Sequence, residues 1–435
     1  MQGSRAAASR RQPRDVPWWA RLFFWVPVPE GIEARHWAVL GALGTSYLVN
    51  SYDTGVINLA LPQVQQSFGL SEDAIGKLAA LIRLGVLPAL AAGLAADRIG
   101  RRRLLLATIV GFTVCTFLTA FARTATEFAV LQFLARGFVY AEDMLAIVVV
   151  TEELAPRARG WGVGMLVAFG ALGHGLSALA FAGVNATPFG WRALYFLGVL
   201  PLALVAWMRR SVQETDRFLA ASEKARTRKA WAPLGSILRH HPGRLLALSA
   251  AIAPMAFVAG TALQFQSKFL QEAHGWTPGQ VSMLFLGGGP LAMTGGLLCG
   301  KASDRFGRRR VLSAAILANV AATLAFYLGH GLVVPLVWVV TVFTQFGVDV
   351  LFAALGSELF PTSQRSTASS LRTIVATVSV AAGLALEGSL HAVFGSHGEA
   401  IAAMSLVALA SPFVLLWLVP ETSGLPLEEI APDLD

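Results

Sequence analysis

The chain has 435 residues, of which 55% are hydrophobic and 14% are charged. A soluble domain carries about 25% charged residues, so this composition excludes a protein that covers itself with polar surface in water. The apolar runs are continuous over roughly 20 residues, which predicts membrane-spanning helices and not the ~10-residue alternation of barrel strands. The net charge of +8 does not require a nucleic acid partner, because basic cytoplasmic loops account for it.

Residues 1–35 are predicted to form a cytoplasmic tail. The first 15 residues are polar and basic, and an aromatic segment follows from Trp18 to Trp25. Aromatic residues beside Arg21, in a run too short to span, predict a segment that lies at the membrane interface. The alternative is an unstructured tail that happens to contain aromatics. No apolar segment precedes the first span, so we expect that span to act as an uncleaved signal.

Twelve apolar segments follow, each near the ~20 residues that a bilayer requires. The first six are predicted at approximately 36–60, 72–94, 104–122, 126–150, 160–184 and 190–208. The second six are predicted at approximately 245–268, 278–300, 311–330, 332–355, 368–390 and 400–419.

The loops divide and orient the chain. Arg and Lys crowd into alternate loops, including the long polar stretch 209–244, so both termini are expected to be cytoplasmic. The expected membrane is the plasma (inner) membrane. The predicted units are a tail, an N-terminal bundle, a central cytoplasmic loop, a C-terminal bundle and a second tail. Their bounds are 1–35, 36–208, 209–244, 245–420 and 421–435.

Two loop motifs occur twice. Gly93-Leu-Ala-Ala-Asp97-Arg98-Ile-Gly100-Arg-Arg-Arg follows the second span, and Gly300-Lys-Ala-Ser-Asp304-Arg305-Phe-Gly307-Arg-Arg-Arg follows the eighth, an offset of 207 residues between the two Asp positions. Glu153-Leu-Ala-Pro and Glu358-Leu-Phe-Pro follow the fourth and tenth spans at an offset of 205 residues. Repeats at nearly one offset indicate a duplicated six-helix bundle.

The Gly-x-x-x-Asp-Arg-x-Gly-Arg-Arg loop resembles the signature of the major facilitator superfamily. Tyr52-Asp53-Thr54-Gly55 in the first span and Pro420-Glu421-Thr422-Ser-Gly424 in the tail are similar to motifs of its sugar porter family. The resemblance implies an all-α membrane protein of twelve helices in two pseudo-symmetric six-helix bundles. It also implies alternating access to a site midway between the halves.

The sequence departs from sugar porters at positions that bind sugar in that family. Val167 and His174 stand where the family carries two Gln residues on the fifth span, and Gln264 and Gln266 only approximate its Gln-Gln pair on the seventh. Because a hexose needs many hydroxyl partners, and a site without them rejects it strongly, we expect another small polar metabolite as substrate.

Three residues are predicted to couple transport to protons. By resemblance, Asp53 occupies the position of the protonatable carboxylate of proton-coupled sugar porters; the alternative is a structural carboxylate beside Gly55. Arg136 is its natural partner, but lies about one turn after the family's position and could pair with Asp143 or Glu142 instead. Glu142 is either a second proton carrier or a brace for the loop arginines. Burial raises a carboxyl pKa and a nearby Arg lowers it, which makes such a pair a switch.

Other polar residues in the spans are candidates for the substrate cavity. An ionisable side chain inside a membrane is costly, so it persists mainly where it has a function. They are Tyr52, Asn58, His174, Gln264, Gln266 and Asp349. His174 could equally be a packing residue, and Arg83 could attract an anion or pair with a neighbour. Glu387 and His391 are expected near the outer end of the eleventh span, where their side chains reach water.

The repeated loops are predicted to form a cytoplasmic gate in which Asp97 and helix-end dipoles hold Arg side chains across the two halves. The same arginines also set the topology. The predicted gate residues are Gly93, Asp97, Arg98, Gly100, Arg101, Arg102, Glu153, Arg159, Asp304, Arg305, Gly307, Arg308, Arg309, Glu358 and Arg365.

Together these features predict a secondary active transporter, most simply a proton symporter of a small polar metabolite. The alternative within transport is proton-antiport efflux of a drug or metabolite, and a remote alternative is a non-transporting membrane sensor. No nucleotide loop, metal-spaced cluster or nucleophile motif is present, so neither an enzyme nor a cofactor is expected. The expected partners are a small-molecule substrate, protons and the lipid bilayer, and the chain is expected to act as a monomer.

Overall fold

The computed structural model describes residues 17–23, 28–29, 31–89, 101–155, 158–208, 232–361, 364–423 and residue 430. Throughout these residues the regular structure is helical. Gly93, Asp97, Arg98 and Gly100 of the predicted gate lie outside the described residues, as does 209–231 of the predicted central loop.

The N-terminal half contains six long helices and one short one. They are α1 (Ala34–Leu59), α2 (Leu61–Phe68), α3 (Glu72–Leu84), α4 (Arg101–Thr119), α5 (Ala125–Glu153), α6 (Arg159–Ala182) and α7 (Trp191–Met208). The short helix α2 lies between the first and second predicted spans.

The C-terminal half follows the short helix α8 (Ala232–His240). Its helices are α9 (Pro242–Glu272), α10 (Pro278–Phe306), α11 (Arg308–Leu328), α12 (Val333–Glu358), α13 (Arg365–Phe394), α14 (His397–Ser405) and α15 (Ala410–Leu418). A 3₁₀ turn, Leu406–Leu409, joins α14 to α15, so these two form the last span together. The helices match the twelve predicted spans in order. Seven spans in the described chain are long and apolar enough by themselves to cross a membrane.

Side chains at the helix starts explain where several helices begin. Ser71 accepts a hydrogen bond from the Ala74 amide at the start of α3, and Thr124 accepts one from the Glu127 amide at the start of α5. Thr277 forms a capping box at the start of α10. Each cap satisfies an amide that the helix cannot pair internally, which fixes the start of the helix in the chain.

Helix contacts repeat between the two halves. In the N-terminal half α1 packs on α6 and α7, α3 packs on α5, and α4 packs on α5 and α7. In the C-terminal half α9 packs on α13 and α15, α10 packs on α12, and α11 packs on α12 and α15. This is one arrangement used twice, as a duplicated six-helix bundle requires.

The halves meet along two helix pairs, α3 with α13 and α6 with α10. We call the end of the bundle that carries Glu72 and α2 the outer end, because the loop charges predict that it faces outside. Hydrogen bonds cross between the halves there, from Gln63 to Gln271 at 2.7 Å and from the Ser267 hydroxyl to the Leu59 carbonyl at 2.8 Å. The outer end is therefore closed in this structure.

The aromatic segment near the N-terminus forms a 3₁₀ helix, Trp18–Phe23. The ring of Trp19 lies 5.5 Å from that of Trp37 on α1 and 5.5 Å from that of Phe169 on α6. An unstructured tail is therefore excluded for these six residues. Trp18 remains 75% exposed, as a residue at a membrane interface would be, and its location there stays a prediction.

Candidate functional site

Asp53 lies in the middle of the N-terminal half, on α1. Its side chain is 2% exposed, and its Oδ1 accepts a hydrogen bond of 3.5 Å from the Thr116 hydroxyl on α4. Its Oδ2 is buried and has no hydrogen-bond partner among the described residues. A buried carboxyl group with one long hydrogen bond and an unpaired oxygen is poised to take up a proton.

Arg136 approaches α1 from α5 and is 6% exposed. Its Nη1 donates to the hydroxyl of Thr54, the residue after Asp53, and its charge acts on Asp53. Neither Asp53 nor Arg136 forms an ion pair within 4.0 Å with another residue in the described part of the chain. Arg136 is thus held beside Asp53 by a neutral hydroxyl, which leaves room for the carboxyl group to be protonated without breaking an ion pair.

The two acidic residues of α5 that could have paired with Arg136 have surroundings unlike those of Asp53. Asp143 accepts a hydrogen bond of 2.8 Å from the Asn50 amide on α1. Glu142 is completely buried. Arg136 is directed to Thr54, one helical turn from Asn50, so α1 binds Arg136 and Asp143 at separate points.

The predicted cavity residues of the N-terminal half occupy different environments. His174 has an exposed side chain on α6, faces Gly55 of α1 and lies within electrostatic range of Arg136. Asn58 is half-buried. The Tyr52 hydroxyl donates to the Leu194 carbonyl on α7 at 2.8 Å, and this bond holds the ring inside the N-terminal half. His174 is therefore an exposed candidate that lies within range of the Arg136 charge.

A second set of charged side chains comes from both halves. Asp349 on α12 is exposed, accepts a hydrogen bond of 3.0 Å from Gln345, and interacts electrostatically with Arg372 on α13 and Arg83 on α3. Arg83 also donates to the Tyr140 hydroxyl at 3.2 Å, while its Nε is buried without a hydrogen-bond partner in the described chain. The charges of two guanidinium groups from opposite halves thus act on one carboxylate, but neither forms an ion pair with it within 4.0 Å among the described residues, and the Arg83 Nε remains available to an anion.

The glutamines of α9 face two environments. Gln264 is half-buried, and its Nε2 lacks a hydrogen-bond partner within the described residues. Gln266 accepts a hydrogen bond of 2.6 Å from the Trp338 indole and lines a small cavity with Asn319. That cavity lies inside the C-terminal half, whereas Gln264 offers an unused donor.

The repeated loop of the C-terminal half forms a charged network. Arg308 Nη1 lies 2.7 Å from Asp304 Oδ1, and its Nη2 lies 3.0 Å from Glu358 Oε1. The tail closes the network, because Glu421 accepts a hydrogen bond of 2.8 Å from the Arg308 amide and the Thr422 hydroxyl donates to Glu358. These contacts fasten α10, α11, α12 and the tail into one unit.

The remaining predicted gate residues are bound locally. Arg309 donates to the Val419 carbonyl at 2.7 Å, Arg365 to the Phe360 carbonyl at 3.3 Å, and Arg159 to the Leu154 carbonyl at 3.4 Å. Arg305 lies over the Phe306 ring at 5.3 Å, and Glu153 is the last residue of α5. Arg101 and Arg102 begin α4, but their side chains lie outside the description. Contacts of these arginines across the halves stay a prediction.

Gly307 joins α10 to α11. Its φ is +97°, a backbone conformation that residues with a Cβ rarely adopt. A Cβ added at this position would lie 2.8 Å from Glu421 Oε2. Gly307→Ala is therefore expected to lower the free energy of unfolding by about 1–3 kcal/mol. Thermal unfolding of the purified protein measures this. Gly331→Ala is the control, since Gly331 has φ +63 and open space around its Cβ position. Equal destabilisation by the two variants would contradict the role of Glu421.

One expectation about the outer end is wrong. Glu387 was predicted to reach water, but its side chain is completely buried. Its Oε1 lies 2.5 Å from His397 Nδ1, on the following helix. A hydrogen-bonded partner on a neighbouring helix replaces water, so the carboxyl group has no need to reach the surface.

The family model of the Major Facilitator Superfamily matches residues 43–296 and 251–432. The chain belongs to this superfamily. It is a multi-pass membrane transporter with two pseudo-symmetric six-helix bundles, and it is not an enzyme.

Named relatives and solved structures agree with this assignment. The chain is 27% identical to a probable 4-methylmuconolactone transporter of Cupriavidus pinatubonensis, covering 89% of this chain and 91% of that protein. It is 31% identical to the gallate transporter of Pseudomonas putida over 44% of this chain and 43% of that protein, less than half of its length. The inward-open structure of the xylose transporter XylE from E. coli superposes with a TM-score of 0.74 at 19% identity, covering 91% of this chain and 99% of that one.

Arg372 is not among the site residues predicted from the sequence. In the structure Arg372 lies inside α13, seven residues after Arg365, where it faces Asp349. Gln345, Asn319 and Trp338 were also missed. Of these residues, only Arg372 could have been found from the sequence. A long apolar segment continues past it, and an Arg inside a span is costly and therefore indicates a function.

Proposed function

We propose that this transporter carries a small cyclic or aromatic carboxylate into the cell together with a proton. The observation that carries the proposal is the group of Arg83 and Arg372 around Asp349, at the contact of the two halves. The two guanidinium charges act on Asp349 from beyond the 4.0 Å of an ion pair, so a substrate carboxylate can pair with them directly. Arg is suited to this because its N–H groups match the two oxygens of a carboxylate.

The relatives support an acid as the substrate. Several of them are named as transporters of gallate, niacin or nicotinamide, benzoate, 3-(3-hydroxy-phenyl)propionate and shikimate. Most of these compounds are ring compounds with one carboxylate. The sugar-binding glutamines of sugar porters are replaced here by Val167 and His174, which weakens the case for a sugar.

In this proposal, Asp53 carries the proton that is transported with the substrate. Uptake of an anion against the membrane potential needs a compensating positive charge, and a protonatable carboxyl group supplies it. Asp53 is buried, has an unpaired oxygen and lies beside Arg136, whose hydrogen bond to Thr54 keeps it in place. When substrate enters from outside, protonated Asp53 permits closure, and its proton leaves on the inner side.

A binding experiment tests the substrate class. Thermal unfolding of the purified protein is measured with benzoate, gallate and nicotinate, and with the neutral analogues benzamide and nicotinamide and with D-xylose. We expect the acids to stabilise the protein and the neutral compounds to have no effect; a ligand at 100 times its Kd contributes about 2.7 kcal/mol.

Matched variants locate the site. Arg372→Gln and Arg83→Gln are expected to remove the stabilisation by acids, whereas Arg305→Gln, at the end of α10, retains it. Stabilisation by D-xylose alone, or acid binding unchanged in both Arg variants, would contradict the proposal.

A further inference from the structure

Five ionisable side chains gather at the outer end, where the two halves meet. Glu72 comes from α3 of the N-terminal half, and the other four come from α9, α13 and α14 of the C-terminal half. The set, here named the outer cluster, is Glu72, Lys268, Glu272, Glu387 and His397. No part of the proposed transport site includes it.

Lys268 connects the halves. Its side chain is completely buried, and its Nζ lies 2.5 Å from Glu272 Oε1 and 3.2 Å from Glu72 Oε1. Glu72 is also held from its own half by the Gln65 amide, at 2.9 Å. Opening the outer end would withdraw Glu72 from Lys268, so the cluster can exist in this form only while the outer end is closed.

His397 has a carboxylate oxygen at each ring nitrogen. Its Nδ1 forms a hydrogen bond of 2.5 Å with Glu387 Oε1, and its Nε2 lies 3.1 Å from Glu72 Oε2 in an ion-pair contact that lacks hydrogen-bond geometry. A neutral imidazole has one N–H and one lone pair. With all carboxyl groups ionised, a neutral ring would turn its lone pair to a carboxylate oxygen, which is repulsive. Two carboxylate oxygens at the two ring nitrogens therefore favour a proton beyond that of the neutral ring.

The charges of the cluster lead to the same conclusion. Three carboxylates face one ammonium group, and the side chains of Glu387, His397 and Lys268 are 0%, 6% and 0% exposed. Uncompensated buried charge is costly, and a proton on the imidazole–carboxylate group reduces it.

The surroundings of His397 include other groups that titrate. The His391 ring lies 4.3 Å from the His397 ring, and the Phe265 ring stacks on the His397 ring at 5.2 Å. The Tyr327 hydroxyl on α11 donates a hydrogen bond to the Ala262 carbonyl. Facing His397 are Glu72 on α3, Lys268 and Glu272 on α9, and Glu387 and His391 on α13. Tyr327 on α11 lies within electrostatic range of Glu387.

We propose that the outer cluster is a proton-binding latch, closed while His397 shares an added proton with Glu387 and Glu72 and opened when that proton is lost. The closed form binds the proton more tightly, because opening removes the Glu72 carboxylate from the ring. Raising the pH therefore favours the open outer end. This proton site is separate from Asp53 and sets how readily the transporter opens to the outside.

Distance measurement between spin labels tests the latch. Labels are placed at Gln66 and Glu399, which are exposed at the outer ends of opposite halves, with Cys115→Ala and Cys299→Ala to remove the native thiols. Asp53→Asn is included so that Asp53 cannot contribute a pH response. Between pH 5.5 and 8.5 the ratio of open to closed outer ends is expected to rise, approaching about tenfold per pH unit for one proton.

Two variants are expected to shift the ratio in opposite directions. Glu387→Gln lets a neutral His397 accept from the new amide and donate to Glu72, so the outer end should stay closed at every pH. His397→Gln cannot take up a proton, and its two N–H donors lie on a single nitrogen instead of at opposite sides of a ring, so the outer end should stay open at every pH. A purely structural cluster would respond to both variants in the same direction.

Ser267→Ala is the matched control. It removes the 2.8 Å hydrogen bond to the Leu59 carbonyl, which also crosses the halves but does not titrate. In this variant the ratio of open to closed outer ends should be higher at all pH values. The change of that ratio per pH unit should be the same as with the wild-type cluster. An unchanged slope in His397→Gln, or no pH response with His397 present, would overturn the proposal while leaving proton coupling at Asp53 intact.

Discussion

Asp53→Asn is expected to abolish proton-driven accumulation of substrate while retaining exchange of substrate across the membrane. The variant keeps the size and one acceptor of the side chain but cannot gain or lose a proton. In proteoliposomes with a pH difference of one unit, a one-proton symporter can draw on about 1.36 kcal/mol, enough for tenfold accumulation. The variant should reach equal concentrations on both sides, and its transport rate should lose its pH dependence.

Counterflow of labelled against unlabelled substrate separates loss of coupling from loss of binding. It should remain within a few-fold of the original rate, because Arg83, Arg372 and Asp349 are unchanged. Glu127→Gln provides a carboxylate control, since Glu127 is exposed at the start of α5 and accepts from the Arg123 amide. Accumulation by Asp53→Asn that still follows the pH difference would show that the coupling proton is carried elsewhere.

The order of the helices was predictable because lipid imposes a simple rule. A segment without water must pair its own backbone, so each apolar run of sufficient length becomes a helix. The helix ends were less predictable. The seventh span was predicted to end at 268 and the eleventh at 390, but α9 extends to Glu272 and α13 to Phe394. Hydropathy falls at the first polar residues, whereas α13 continues to Gly395, where φ +78 ends it.

The charged groups were predictable as a set but not as pairs. An ionisable residue in a span indicates a function, and Asp53, Arg136 and Asp349 were identified by that rule. Their partners depend on how helices far apart in sequence lie against one another. Asp349 lies within electrostatic range of Arg83 from the other half, and Glu387 contacts His397 across the turn at Gly395. Neither pairing follows from the periodicity of one helix.

The closed outer end depends on small residues as well as on charge. Gly388 on α13 lies against the backbone of α3, so that an added Cβ would be 2.5 Å from the Asp73 Cα and 2.5 Å from the Glu72 carbonyl oxygen. Backbone atoms inside a helix cannot rotate away as a flexible side chain can. Gly388 therefore allows the two helices to approach closely enough for Glu72 to reach Lys268.

Gly388→Ala is accordingly expected to hold the outer end open. Overpacking costs typically about 1–3 kcal/mol, and here separation of the halves relieves that cost. Since 1.4 kcal/mol is a factor of ten, the ratio of open to closed outer ends should rise by about tenfold, with transport falling by a similar factor. Spin labels at Gln66 and Glu399 measure the ratio, and uptake in proteoliposomes measures the rate.

Gly175→Ala is the control for this prediction. Gly175 lies on α6, at the other contact between the halves, and its added Cβ would meet only Leu286, at an ordinary 3.8 Å. That variant should transport at close to the original rate. If Gly388→Ala left the outer end closed and instead lowered thermal stability alone, α3 and α13 would have to stay together during transport, and opening would have to take place between other helices.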